Sequence, residues 1–192
     1  MGNEASDAFR NAGNGLKESL DGLKSKLDNV MRSSSGGGMG HAKLPSEEEL
    51  RNAVTEWSGM QKKLASYISK RKMDQFNTAT VIYDARTGKY YYGLNKGVDL
   101  SGDAKNPVLF GTKDEPGLLP KDSLNDYRVG NCAEVDAANQ ALNDGAYLSD
   151  LYFYTVKVTP NEFGAAKTAC ENCTFTFQGN AADALSGWFK GD

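Results

Sequence analysis

Apolar residues recur every three or four positions over some stretches of this chain and alternate or cluster over others. These two rhythms predict its elements. Over residues 7–31, Phe9, Ala12, Leu16, Leu20, Leu23, Leu27 and Val30 fall on one stripe, the spacing of an amphipathic helix. Gly13 and Gly15 weaken its first half, and the stripe reads as a docking surface. "SSSGGGMG", residues 33–40, is a flexible linker by composition. The predicted organisation is therefore a helical segment over 1–32, a Gly/Ser-rich linker over 33–45 and a compact domain over 46–192.

Within that domain, Ser46 followed by Glu49 reads as a capping box. It predicts a helix to about Lys72 with Leu50, Val54, Trp57, Leu64 and Ile68 on one face. Its basic end, "KRK" at 70–72, complements the helix dipole. "TATVIYD" (78–84) and "KYYYGL" (89–94) are β-branched and aromatic runs joined by "ARTG", which predicts a hairpin. Residues 95–127 are rich in Gly, Pro, Asp and Lys, show no period, and read as one long loop. Asn131 reads as the N-cap of a helix over 132–144 closed by Gly145. "LYFYTVKV" (151–158) is a buried strand. After it, "TFTFQ" alternates like a strand whereas Cys170, Cys173 and Phe177 share helical spacing; helix is the expectation. Ala181, Leu185, Trp188 and Phe189 predict a short terminal helix. The order helix, hairpin, helix, strand, helix implies an α/β domain, a mixed sheet covered by helices.

Composition narrows the function. Hydrophobic residues make up 39 % of 192 and the formal net charge is −3, so there is enough apolar material for a core. Indiscriminate attraction to nucleic acid or anionic membrane is not expected. No apolar run reaches the roughly 18–20 residues of a membrane span, and residues 1–13 lack the apolar centre of a classical signal peptide. The single histidine, His41, lies in the linker, so a metal in this chain has to be held by cysteines.

The three cysteines are Cys132, Cys170 and Cys173. An odd number excludes a fully paired disulfide framework within one chain. Cys170 and Cys173 form a C-x-x-C, either a redox dithiol or half of a metal site. Three thiolates fill three corners of a tetrahedral Zn²⁺ site and leave the fourth for water, whose pKa then drops from 15.7 to about 7. Cys132 and Cys170 both fall at predicted helix starts, where the dipole favours thiolate. Glu134 follows Cys132 by two residues, placed to move protons at the open position without ligating. A structural zinc knot lacks a fourth ligand here, and a redox pair leaves Cys132 and Glu134 without a role.

"CAE", 35 residues, then "CENC" resembles the signature of the zinc-dependent cytidine deaminase superfamily, whose general form is H-x-E…P-C-x-x-C with a Cys₃ variant. The "NCAE" at 131–134 with its C-x-x-C is most similar to the YwqJ-like deaminases of bacterial polymorphic toxins. Ala169 stands where that pattern has proline. The resemblance covers roughly residues 46–180 and implies a cytidine deaminase-like three-layer α-β-α fold with a mixed sheet of about four to five strands. It implies that Cys132, Cys170 and Cys173 bind Zn²⁺, that Glu134 shuttles protons, and that the Ala133 N–H donates to the oxygen of the pyrimidine. It also implies a sugar contact for Asn95 and a carbonyl contact to the exocyclic amine for Thr168.

The expected reaction is hydrolytic conversion of cytosine to uracil, with single-stranded DNA as the favoured substrate and double-stranded DNA or RNA as others. Lys96, Lys105, Lys113, Lys121 and Arg128 are candidates to track a phosphate backbone, against the plain reading that loop lysines keep the chain soluble. About half of Tyr90, Tyr91, Tyr92, Tyr152, Phe153 and Tyr154 should be core, and the outer ones are candidate stacking surfaces. An acidic chain favours the alternative of a free cytidine or nucleotide deaminase. A reading of another class is a non-catalytic zinc-binding interaction module worked by the segment over 7–31. The toxin resemblance further implies an effector delivered by a specialised route into a target-cell cytoplasm and a cognate immunity protein, with no membrane partner.

Overall fold

The structure is a computed structural model that describes residues 43–68 and 76–191. The helix expected over 7–31, the linker up to residue 42 and the basic "KRK" lie outside the described residues. Leu44–Asp192 forms one compact unit.

The first helix, α1, spans Glu47–Ile68. The capping box starts it: Glu49 N–H donates to Ser46 Oγ at 3.2 Å while Ser46 N–H donates back to Glu49 Oε2 at 2.7 Å. Its apolar stripe lies against a four-stranded sheet. Strands β1 (Thr78–Asp84) and β2 (Lys89–Leu94) make the expected hairpin. The turn is held by the buried Asp84 carboxylate, which accepts from Arg86 N–H at 2.9 Å and Thr87 Oγ1 at 2.7 Å.

The 95–127 stretch is not one structureless loop. It contains two short helices, α2 (Gly97–Ser101) and α3 (Pro107–Phe110). Both are shorter than the window that a 3.6-residue period needs, so patterning could not reveal them. Asn106 caps α3, its side chain accepting from Val108 N–H at 3.0 Å.

Helix α4 spans Ala133–Asn143 and its N-cap is Cys132, one residue later than the expected Asn131. Asn131 instead turns back, its carbonyl accepting from Lys96 N–H at 2.9 Å. Almost every side chain of α4 is buried, its four alanines included. One side meets the sheet and the other meets α2, α3 and the connection that carries them. Asn139 ties that connection down, accepting from Asn106 N–H at 2.8 Å and donating to the Ala104 carbonyl at 3.0 Å.

After a 3₁₀ turn at Leu148–Asp150, β3 runs over Leu151–Lys157 and pairs antiparallel with β1. Helix α5 covers Glu171–Phe177, capped by Cys170, so the helical spacing of Cys170, Cys173 and Phe177 prevails over the alternation of "TFTFQ". The reason is burial: Phe177 docks on Phe153 with ring centroids 4.9 Å apart, and Cys173 is also inside.

The expected terminal helix does not form. Asp183–Ala184 is a two-residue strand, β4, parallel to β3. Gly179 and Gly187 flank it at φ +85° and +98°, a backbone region that interrupts a right-handed helix.

The sheet order is β2-β1-β3-β4, mixed in direction. With α1 on one face and α4 and α5 on the other, this is the expected three-layer α/β architecture with four strands among the described residues. None of the described helices is long and apolar enough to cross a membrane.

Candidate metal centre and its pocket

Strand direction decides where chemistry can gather. Strands β2 and β3 both end at the edge where β1 begins, because each is antiparallel to it. Helices α4 and α5 follow strands that end there, so both can start near that edge, as the ligand crevices of open α/β sheets do.

The two helix starts put Cys132 and Cys170 in equivalent roles. Each is an N-cap with extended backbone, at φ −77°, ψ 152° and φ −75°, ψ 172°, and neither uses its side chain for capping. Cys173 stands three residues into the same turn as Cys170, on the same side of α5. The three sulfurs lie within 4.8 Å of one another, with Cys132 Sγ and Cys170 Sγ 3.3 Å apart. A disulfide needs about 2.05 Å, and all three cysteines are free. Tetrahedral coordination at a Zn–S length of about 2.3 Å requires sulfurs about 3.8 Å apart, a value inside the observed span. The three cysteines can therefore hold a metal ion.

The protons of the cluster point the same way. Hydrogen bonds from Cys132 and Cys173 hold the Cys170 thiol down to about 2, and the same contacts push Cys173 up. Its contact with Cys170 raises Cys132 as well.

Glu134 is in the first turn of α4 and only 4 % exposed. Burial is the main cause that raises its carboxyl pKa, followed by the charge of Cys170, while Lys167 and Thr155 oppose the shift. Thr155 Oγ1, from β3, donates to Glu134 Oε1 at 3.2 Å and lies 2.8 Å from Thr80 Oγ1 on β1. Since Thr155 has one hydroxyl proton and gives it to Glu134, Thr80 is the donor of the second bond. The carboxylate is thus oriented from inside the sheet.

Cys132, Cys170 and Glu134 line one cavity of about 610 Å³. Asn95 and Ala133 line it too. Asn95 Oδ1 accepts from Asn77 N–H at 3.0 Å and Thr78 N–H at 3.1 Å, which fixes its carboxamide across the start of β1. Thr168 is exposed and is not part of this lining. Of the five loop cations, Lys96 lines this cavity; Lys105, Lys121 and Arg128 line a second one, and Lys113 lines neither.

Sequence reasoning missed Lys157, Lys167 and Tyr127, which complete the wall. Lys157 is the last residue of β3, and only the strand order shows which cavity it faces. The strand aromatics do not line the cavity. Helices cover both sheet faces, so Tyr90, Tyr92 and Tyr152 pack towards α1, with Trp57 stacked on Tyr92 at 5.1 Å, and Tyr91 packs towards α4. The exposed ring at the cavity is Tyr127, 62 % accessible.

Lys96 is the one non-glycine residue with positive φ among those described, at φ 66°, ψ 7°. Its N–H and its carbonyl are both engaged, to Asn131 and from Leu100, so the strained backbone is held by the pocket wall.

No family model, curated protein or solved structure matches the chain.

Proposed function

We propose that this domain is a zinc-dependent cytosine deaminase acting on nucleic acid, single-stranded DNA first, by hydrolysis of cytosine to uracil. One observation carries the reading: a buried carboxylate, Glu134, shares a cavity with a cluster of three cysteines that can hold a metal and has no fourth protein ligand beside it among the described residues. A structural site is closed by four ligands. The cavity beside Cys132 and Cys170 supports an open fourth position here.

Cys132, Cys170 and Cys173 would hold the ion, which when bound lowers the pKa of a water to about 7. Glu134 does the proton work. It would take a proton from the attacking water as the oxygen adds to C4 of the base and deliver it to N3. It would then move the remaining proton of that oxygen to the exocyclic nitrogen as the C4–N bond breaks, so that ammonia leaves and a carbonyl remains. Burial raises its carboxyl above the usual carboxylate range, the direction that favours a group able to hold the proton between the two transfers. The Ala133 N–H, at the first turn of α4, donates to the pyrimidine oxygen. Lys96, Lys157 and Lys167 make an anionic substrate welcome in a chain whose overall charge is −3. On this reading the domain is the enzymatic part of a delivered bacterial effector, and an immunity protein would act by plugging this cavity.

The test combines metal content per chain with uracil formation from a cytosine-containing single strand, the corresponding duplex and free cytidine. One zinc per chain and uracil in the single strand are expected. Glu134→Gln should keep the metal and lose about 10²–10⁴-fold in turnover. Conversion of cytidine alone replaces the nucleic-acid substrate with a nucleoside. Full activity in Glu134→Gln ends the mechanism and favours a non-catalytic metal module.

A further inference from the structure

A second cavity, about 510 Å³, borders the connection that leads into α4. The two cavities are neighbours along the chain: Tyr127 and Asn131 line the first, Arg128 and Gly130 the second. Its volume falls in the range that takes a small organic ligand.

The walls combine two chemistries. Phe110 and Pro120 give an apolar side, with Lys105 Nζ 5.2 Å from the centre of the Phe110 ring. Lys105, Lys121 and Arg128 give a cationic side against one carboxylate, Asp99. That carboxylate is already paired with Arg128. Lys105 and Lys121 make no ion pair with any described carboxylate, whereas Lys89 and Lys157 each do. Lys105, 5.2 Å from the Phe110 ring centre, and Lys121 are thus two uncompensated lysines on the same wall as that ring. They complement a ligand that is anionic at one end and flat at the other.

We infer that this cavity seats a nucleotide flanking the target base of a single-stranded nucleic acid, its phosphate between Lys105 and Lys121 and its base against Phe110. The inference rests on the reading that the first cavity takes a base from nucleic acid. Tyr127 of the first lining and Arg128 of the second are consecutive residues, so one segment of chain serves both cavities. Stacking on an aromatic ring and a cationic track for the backbone are the two devices by which single strands are held.

The experiment measures binding of a fluorescein-labelled nine-nucleotide single strand with one central cytosine to the full chain carrying Glu134→Gln. Adding Lys105→Glu and Lys121→Glu should weaken binding at least tenfold. The dependence of log affinity on log salt should flatten by about 0.7, for the one phosphate that is no longer neutralised. Lys43→Glu with Lys190→Glu makes the same charge change at exposed positions outside either cavity and should shift affinity less than twofold. Phe110→Leu should weaken binding about tenfold with the salt slope unchanged. Equal effects of the two double variants, or equal competition by polyglutamate of matched charge, overturn the seat. Uracil formation by the unsubstituted chain is scored separately. Its absence with this binding pattern intact removes the reaction and leaves the seat, and uracil with both double variants binding alike removes the seat and leaves the reaction.

Discussion

The two faces of the sheet are built from the same strands and are unlike in content. Towards α1, β1 and β3 present Ala79, Val81, Tyr83, Tyr154 and Val156, packed on Leu50 and Val54. Towards α4 and α5 the alternate residues include Ile82 and Phe153, but also Thr80 and Thr155, and the helix above adds buried Glu134, Asp136 and Asn139. Successive side chains of a strand point to opposite faces, so one strand can serve a dry core and a polar pocket at once. The α1 face supplies burial without buried charge, and the α4 face keeps ionisable groups whose burial is unfavourable for folding, of which Glu134 lines the cavity. Stability and reactivity are therefore separable by side of the sheet, which can be tested by substitution.

The largest effect is expected where the division fails. Gly93, on β2, lies under the first turn of α4, and a Cβ there would sit 2.3 Å from the Ala133 carbonyl oxygen and 2.5 Å from Ala137 N. Backbone cannot give way as a side chain can, so Gly93→Ala should lift α4, take Cys132 with it, and remove at least about 3 kcal/mol. Chemical unfolding and metal titration should fall together. If metal affinity survives, α4 is not what positions Cys132.

Leu50→Ala should fall on one side of the division. The residue is fully buried under α1, so about 2–5 kcal/mol is lost, while metal content and turnover below the melting transition stay at their original values. A drop in turnover matching the loss of stability would show the faces to be coupled.

Asp136 gives a pH signature on the other side. Burial, partly offset by the N–H of Leu94, raises its carboxyl to about 6. The folded chain keeps this proton after the unfolded chain has released it, so stability from this group is present below about pH 4 and is lost as pH rises to about 6. At about 1.4 kcal/mol per unit the loss is about 3 kcal/mol. Asp136→Asn should therefore be more stable at pH 7, with the difference closing near pH 4 in urea unfolding. A difference independent of pH would assign the effect to packing.

Thr155→Val is expected to give the smallest loss of stability and about a tenfold loss of turnover. Without its hydroxyl Glu134 titrates higher, since the hydrogen bond from Thr155 lowers its pKa, so the acidic limb of the rate profile should move to higher pH. The orphaned Thr80 hydroxyl should remove about 1–3 kcal/mol of stability. An unmoved limb would reduce Thr155 to a packing residue.

The site was legible where the residue types are scarce. Cysteine occurs only three times in the sequence, and the structure brings the three sulfurs together. The α1, β1, β2 and β3 elements were legible because each is long enough to show its period. Helices α2 and α3 were not, being five and four residues long. The terminal segment misled because Ala181, Leu185, Trp188 and Phe189 mimic a helical stripe; the first three pack on the core around the short strand instead, and Phe189 stays exposed. Lys157 and Lys167 carried no local sign of the pocket, since a lysine at a strand end or in a loop is ordinary until topology shows what it faces.

Lys96 keeps a left-handed backbone that only glycine adopts freely, a conformation that disfavours an L side chain by about 1–2 kcal/mol. The position is a point of competing selection. A library at residue 96 sorted for heat resistance should enrich glycine and asparagine. The same library sorted for capture of an anionic ligand should return lysine, and the gap between the two winners measures how much robustness this domain gives up for its rim charge.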